Sequence, residues 1–299
     1  MMGQIPSQRT KGDRLAATKV SPSPDYGLLG PDSVAWKLLS RPGGLVGGLL
    51  SLMLQALHPL AMAGVAQHSD FRKRPLDRLE RTSMYVIASV YGDTKTAQRA
   101  AAIVRAMHKK VHGIDPVTGR AYSAEDPDTQ LWVHSTIWHS LLVSYRVFGG
   151  SLAPEEEDRY IAEGVPIAEL IGLPANMVPA SIAEMREYFA SMDSHLCMSP
   201  DARAAIDFVI NPPLTRELLV HQVPIRLFAR AAVALMPRHI RTLAGLEGSR
   251  LVDAAAITAL RPILATVAIP QVERALMGPI VGHKTVSLKH DALRVMASR

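Results

Sequence analysis

At 299 residues the chain is long enough to bury a full core, and its 48% apolar but only 5% aromatic residues mean that Ala, Leu, Val, Ile and Met must fill that core, as in packed helices. A single cysteine, Cys197, excludes an internal disulfide framework and a thiolate-rich metal centre, and it suits a reducing, cytoplasmic setting. The net charge of +6 is scattered, and its densest run, Arg72 to Thr82, also holds two acids, which argues against a nucleic-acid partner.

Residues 1–30 have no apolar stretch and no cleavage pattern, so they are expected to form a flexible or loosely docked arm rather than a secretory signal. Residues 31–299 are expected to form a single helical domain. Its first apolar run, Gly43 to Gln67, carries no charge and is long enough to span a bilayer. His58-Pro59 interrupts it and glycines crowd its start, which predicts a buried helix broken at the proline, with membrane contact as the alternative. "DRLERTSMYVIASVYG" has apolar residues at helical spacing up to Gly92. "DTKTAQRAAAIVRAMHKKVHG" reads as a helix capped by Asp93 or Thr94 and closed by Gly113. "IDPVTGRAYSAEDPDT" reads as a turn-rich connector, after which Asp128 or Thr129 would cap the helix "LWVHSTIWHSLL". "APEEEDRYIAEG" opens with a proline and three glutamates, the composition of a helix N-terminus, and prolines punctuate the helices that follow. No strand alternation or internal repeat stands out, and the expectation is an all-α fold.

Eleven histidines raise the question of a metal. His108 and His112 have the spacing of a chelating helical pair, but Lys109 and Lys110 stand where a zinc peptidase would place its glutamate. His134 and His139 lie about 140° apart around a helix and cannot both face one site. There is no nucleophile elbow, P-loop or dinucleotide fingerprint. One imidazole in an apolar helical pocket also holds haem iron, with Arg72, Arg74, Arg78, Arg81 and Arg105 as cations for the propionates.

The blocks "LQALHPLAMAGVAQHSDFRKRPLDRLERTSMYV", "VRAMHKKVHGIDPVTGRAYSAEDPDTQLWVH" and "DRYIAEGVPIAELIGLPANMVPAS" resemble the MpaB/rubber-oxygenase family, most strongly over residues 35–195. The resemblance rests on His-Pro followed by H-S-D-F, on R-x-x-R-T, on M-H-x-x-V-x-G, and on Y-S-A-x-D-P followed by W-V-H. It implies an all-α domain enclosing a haem-sized apolar cavity, haem b as cofactor, and oxidative chemistry with dioxygen on an apolar organic substrate, isoprenoid-like or otherwise small. By position, His108 would be the proximal iron ligand and His134 a polar residue near the cofactor. Arg78 and Thr82 would be distal or propionate-side groups, with Arg81 and Arg105 as further cofactor contacts. Two departures stand out. Arg81 replaces a lysine of the rubber oxygenases, and no Asp or Glu occurs from Ser33 through Ser69, where they carry a carboxylate. A base would then come from elsewhere, such as His58 or His68. The alternatives are a non-haem iron or manganese site built from His108, His112 and His134 with Asp126 or Asp70, and a non-enzymatic helical carrier of apolar ligands.

Overall fold

The computed structural model describes residues 24–70, 73–212 and 222–298. Expectations placed on residues 1–23 and on Arg72 lie outside them. Residues 24–30, expected to belong to a loose arm, are docked. Asp25 accepts hydrogen bonds from the Thr94 backbone N–H and hydroxyl at 3.1 and 2.8 Å, and Tyr26 meets Trp36 edge-on at 6.3 Å. Gly27 permits this docking. Its φ of +73° suits glycine, and a Cβ there would lie 2.0 Å from the Gly92 carbonyl oxygen.

The expectation of an all-α fold holds. Helices α1 (Val34–Ser40), α2 (Gly44–Ala56), α3 (Pro59–His68), α4 (Pro75–Tyr91) and α5 (Thr94–His108) precede a small hairpin of β1 (His112–Ile114) and β2 (Ala121–Ser123). After it come α6 (Pro127–Phe148), α7 (Pro154–Ala162), α8 (Val165–Leu170), α9 (Ile182–Met192) and α10 (Pro200–Ile210). The last five are α11 (Gln222–Leu235), α12 (Arg238–Ala244), α13 (Arg250–Val267), α14 (Pro270–Val281) and α15 (His283–Ala297).

The centre is the crossing of α2 and α6. Gly47 lets the two backbones touch, because a Cβ on it would lie 2.9 Å from the Ser140 carbonyl oxygen and 3.0 Å from the Leu141 Cα. Leu50, Met53, Leu54 and Trp132 then close into a cluster joined by Phe228 and Ala232 of α11 and by Ile206 of α10. The apolar run 43–67 is thus split into α2 and α3, which bend by 102° at His58-Pro59. The break is capped locally: the His58 Nδ1 accepts the Ala61 N–H at 3.2 Å, and Pro59 occupies the first helical turn, where no N–H is needed. No single helix among the described residues is long and apolar enough to cross a membrane.

Two connections differ from expectation. The loop after α5 is an antiparallel hairpin with Gly113 opposite Tyr122, and Asp115 ties its turn by accepting the N–H groups of Val117 and Thr118. The cap of α6 is Asp126, whose carboxylate takes the Asp128 N–H and the Thr129 hydroxyl, rather than Asp128 or Thr129 itself. Pro127 sits next to the cap and presets the first turn.

At the other end, α14 and α15 form a pair that packs on α4. Its interior holds an ionic chain in which Arg274 Nε donates to His290 Nδ1 at 2.9 Å and His290 Nε2 meets Glu273 at 2.7 Å. Lys289 completes the chain by donating to the other Glu273 oxygen at 2.8 Å.

Candidate functional site

The site is built on the α4–α5 pair. A two-residue link, Gly92 and Asp93, turns α5 back along α4, so Arg78 near the start of α4 and His108 at the end of α5 lie at one end of the pair. Asp93 fixes the turn by accepting the Thr96 N–H at 2.7 Å. Ala97 and Ala101 bury one stripe of α5, and Val104 and His108 continue that stripe at helical spacing.

His108 is half-buried. Burial lowers its pKa below the ordinary 6.5 against an opposing pull from Glu125, so the ring is neutral at pH 7. Its Nδ1 is shut off from solvent and has no hydrogen-bond partner. The ring borders a recess of about 180 Å³ lined also by Arg105, Glu125, Gln130, Ile171 and Gly172. Gln130, at the start of α6, is buried too, and its Oε1 is a second enclosed polar atom without a partner. Arg105 is tethered at the rim by a hydrogen bond from Nη1 to the Leu170 carbonyl.

His134 lies one helical turn beyond Gln130 on the same face of α6. Its ring is buried and stacks on Trp138 at 5.9 Å, and Trp138 stacks on Tyr160 at 4.8 Å with the planes 4° apart. Burial alone lowers its pKa to about 4, so the imidazole is neutral. His139 faces away from it and packs on Phe189 at 4.6 Å, as the helical angle predicts. On α4, Arg78 is half-buried, and desolvation followed by the neighbouring Arg81 lowers its pKa. Thr82 is half-buried one turn further on. Arg81 is exposed and donates to the Asp77 carbonyl of its own helix, while Arg74 is exposed and pairs with Asp70 and Asp77.

Several expected groupings do not form. The helix ends at His108, so His112 sits in β1 and is exposed, and the two do not make a helical chelating pair. The reason is Val111, which turns into a cluster with Leu60, Ala63 and Tyr122 and pulls the chain out of the helical path. His134 is held in its ring stack, Asp126 is used as a cap and Asp70 is exposed. Among the described residues no three His, Cys, Asp or Glu side chains gather to hold a metal, so the non-haem site of His108, His112 and His134 is not assembled. His58 and His68 are structural rather than free bases. His58 caps α3, and His68 Nε2 lies 3.1 Å from both the His112 carbonyl and the Tyr122 hydroxyl, clasping the hairpin. The haem-sized apolar cavity is also not enclosed by the described residues. Tyr85, Ala101, Val104, Leu131, Ala168 and Ile171 pack together where α4, α5, α6 and α8 meet. The recess left at His108 is smaller than the roughly 300–1,000 Å³ of small-molecule pockets.

Sequence reasoning missed Gln130 and Glu125. The signal was the helical period, since Gln130 stands one turn before His134, while Glu125 is the unspecified position of Y-S-A-x-D-P.

Residues 36–268 match the model of a family described as ER-bound oxygenase mpaB/B′/rubber oxygenase, catalytic domain. The chain belongs to this family. No curated protein and no solved structure matches it significantly. The matched span of this mpaB/rubber-oxygenase chain includes α4, α5, α6 and the whole recess, and it stops before α14 and α15.

The donor set can be tested against a haem group. A neutral, half-buried imidazole at the helix-pair end that also carries Arg78 and Arg105 has the chemistry to hold iron, with guanidinium groups of the kind that pair with carboxylates nearby in the chain. The donor types match the group, but the recess of about 180 Å³ beside His108 is smaller than a porphyrin.

Proposed function

We propose that this mpaB/rubber-oxygenase family member is a haem b-dependent oxygenase that acts with dioxygen on a small apolar organic substrate. The observation that carries the reading is His108, a half-buried imidazole that burial keeps neutral at the edge of a recess, in a chain whose family is an oxygenase catalytic domain. When bound, the haem would supply the redox chemistry that no protein side chain provides.

The chain's own residues would bind and orient. His108 would ligate the iron, and Nε2 is the atom suited to it because Nδ1 is enclosed. Arg78, Arg81 and Arg105 would meet the propionates, where a guanidinium forms paired hydrogen bonds with a carboxylate. Thr82, half-buried on the same face of α4 as Arg78, would offer a hydroxyl at the polar edge of the substrate's space. His134 would stay neutral and hydrogen-bond without donating a full proton, since burial keeps it unprotonated well below pH 7.

The test is an absorption spectrum of protein expressed with haem supplied. A Soret band is expected in the parent protein, with its loss in His108→Ala. Colourless parent protein, or a band unchanged in His108→Ala, refutes the reading.

A further inference from the structure

Two pairs of consecutive helices, α2–α3 and α13–α14, each have the length and hydropathy of a bilayer-spanning segment, but both are sharply bent, by 102° and 109°. They differ in where that apolar character points. In α2 it fills the core, where Val46, Leu50, Met53 and Leu54 are buried. In α13, α14 and the elbow between them much of it faces outward: Leu251 is 81% exposed, Val252 52%, Ile269 49% and Leu276 38%. Helix α13 buries Ala256, Leu260 and Leu264, the last two in the core cluster that α11 shares. Its opposite face presents Leu251, Ala255, Thr258, Pro262, Thr266 and, just past the helix, Ile269; all are exposed and none is charged. A helix that is apolar on every side is normally enclosed, by protein or by lipid, and here one side is open.

The charges select the occupant. In α13 and α14 the exposed charged residues are Arg250, Arg261 and Arg274, all cations. The acids are turned inward: Asp253 accepts from Arg230 and Arg241, and Glu273 pairs with Lys289. Arg261 and Arg274 each use one donor within the protein, on the Val147 carbonyl and on His290, out of the five a guanidinium carries. An uncharged apolar face flanked only by cations has the composition of a helix that lies in the headgroup region of an anionic bilayer. A second copy of the chain fits less well. The 18 residues of α13 give a face roughly 27 Å long and about 10 Å wide, or about 270 Å², whereas a stable interface takes about 800 Å² from each partner. We propose that α13 and the Ile269-Pro270 elbow dock this protein on an anionic lipid surface, with the apolar face against the acyl chains and the arginines at the phosphates. The bend makes the contact peripheral, since the pair cannot cross as one straight helix. The elbow lies just beyond the family-matched residues, and the inference uses neither His108 nor a cofactor.

The experiment floats the purified full chain with vesicles of phosphatidylcholine alone and of phosphatidylcholine mixed with phosphatidylglycerol, at low and at high salt. The parent protein is expected to float with the anionic vesicles at low salt. Its partition should fall about ten-fold or more in neutral vesicles and at high salt. Leu251→Glu and Ile269→Glu, each at an exposed position, should lower the partition into anionic vesicles about ten-fold while circular dichroism stays that of the parent. Leu251→Ser, a milder change should a carboxylate disturb the helix, should act in the same direction. Ile103→Glu, at an exposed apolar position on α5, should leave the partition unchanged. Parent protein that floats with neither vesicle, that binds both equally, or whose partition survives both glutamate variants overturns the inference. A dimer in light scattering that both glutamate variants convert to monomer, with no flotation of the parent, also overturns it and assigns the face to a second copy.

Discussion

Lowering the pH from 7 to 5 is expected to remove a large share of the protein's stability, and three histidines set the size of the effect. Burial lowers the pKa values of His58, His134 and His139 to about 4 from an ordinary 6.5. In the unfolded chain the same rings gain protons as pH falls through about 6.5. Between pH 6.5 and 4 the unfolded state therefore binds more protons, so stability is complete above the window and falls as pH drops through it. At pH 5 each ring accounts for a loss of about 2 kcal/mol and the three together for about 6. A fold of this kind has only about 5–15 kcal/mol in total. His108 shifts in the same direction and adds to the loss. The carboxylates of Glu156 and Glu273 have pKa values below 4.5, so their contribution disappears only at lower pH and does not blur the window.

The assay is urea unfolding followed by circular dichroism at half-unit steps from pH 7.5 to 4.5. The steepest slope should approach 4 kcal/mol per pH unit, from about 1.4 for each ring. His139→Gln, which keeps a planar side chain beside Phe189, should remove about a third of that slope. Stability that stays level between pH 7 and 5, or a slope that His139→Gln leaves intact, refutes the claim that these rings are buried neutral.

Gly47→Ala should destabilise the fold by about 1–3 kcal/mol, read as a drop in urea midpoint, because the new Cβ meets backbone atoms of Ser140 and Leu141 that cannot turn aside. The higher helix propensity of alanine offsets at most about 1 kcal/mol of this. Asp253→Asn should cost about 3–5 kcal/mol in the same assay, since the buried carboxylate of Asp253 holds Arg230 at 2.6 Å and Arg241 at 2.5 Å, and its loss leaves two guanidinium groups facing a neutral amide. A change below about 1 kcal/mol for either variant would contradict the packing described.

Local chemistry made much of the fold legible. The break at His58-Pro59, the cap at Asp93 and the proline-and-glutamate start of α7 are decided by neighbours a few residues apart, and each lies where the sequence places it. The family motifs likewise singled out His108, Arg78 and His134 without any knowledge of their contacts. The hairpin escaped notice because strands of three residues are too short to show alternation. The cap of α6 lies two residues before Asp128 and three before Thr129, because Asp126, Asp128 and Thr129 are all competent caps and only the fold selects among them.

What the sequence by itself determined was a helical chain of an oxygenase family with a candidate ligand at His108. Only the tertiary structure decided which histidines share a site. Val111, drawn into the cluster around Tyr122, ends α5 at His108 and carries His112 to the surface. Packing brings His108 at the end of α5, Gln130 at the start of α6 and Ile171 beyond α8 to one recess. Burial is a property of that packing, and it leaves one imidazole clasping a hairpin, one stacked between helices and one without a partner at its inner nitrogen.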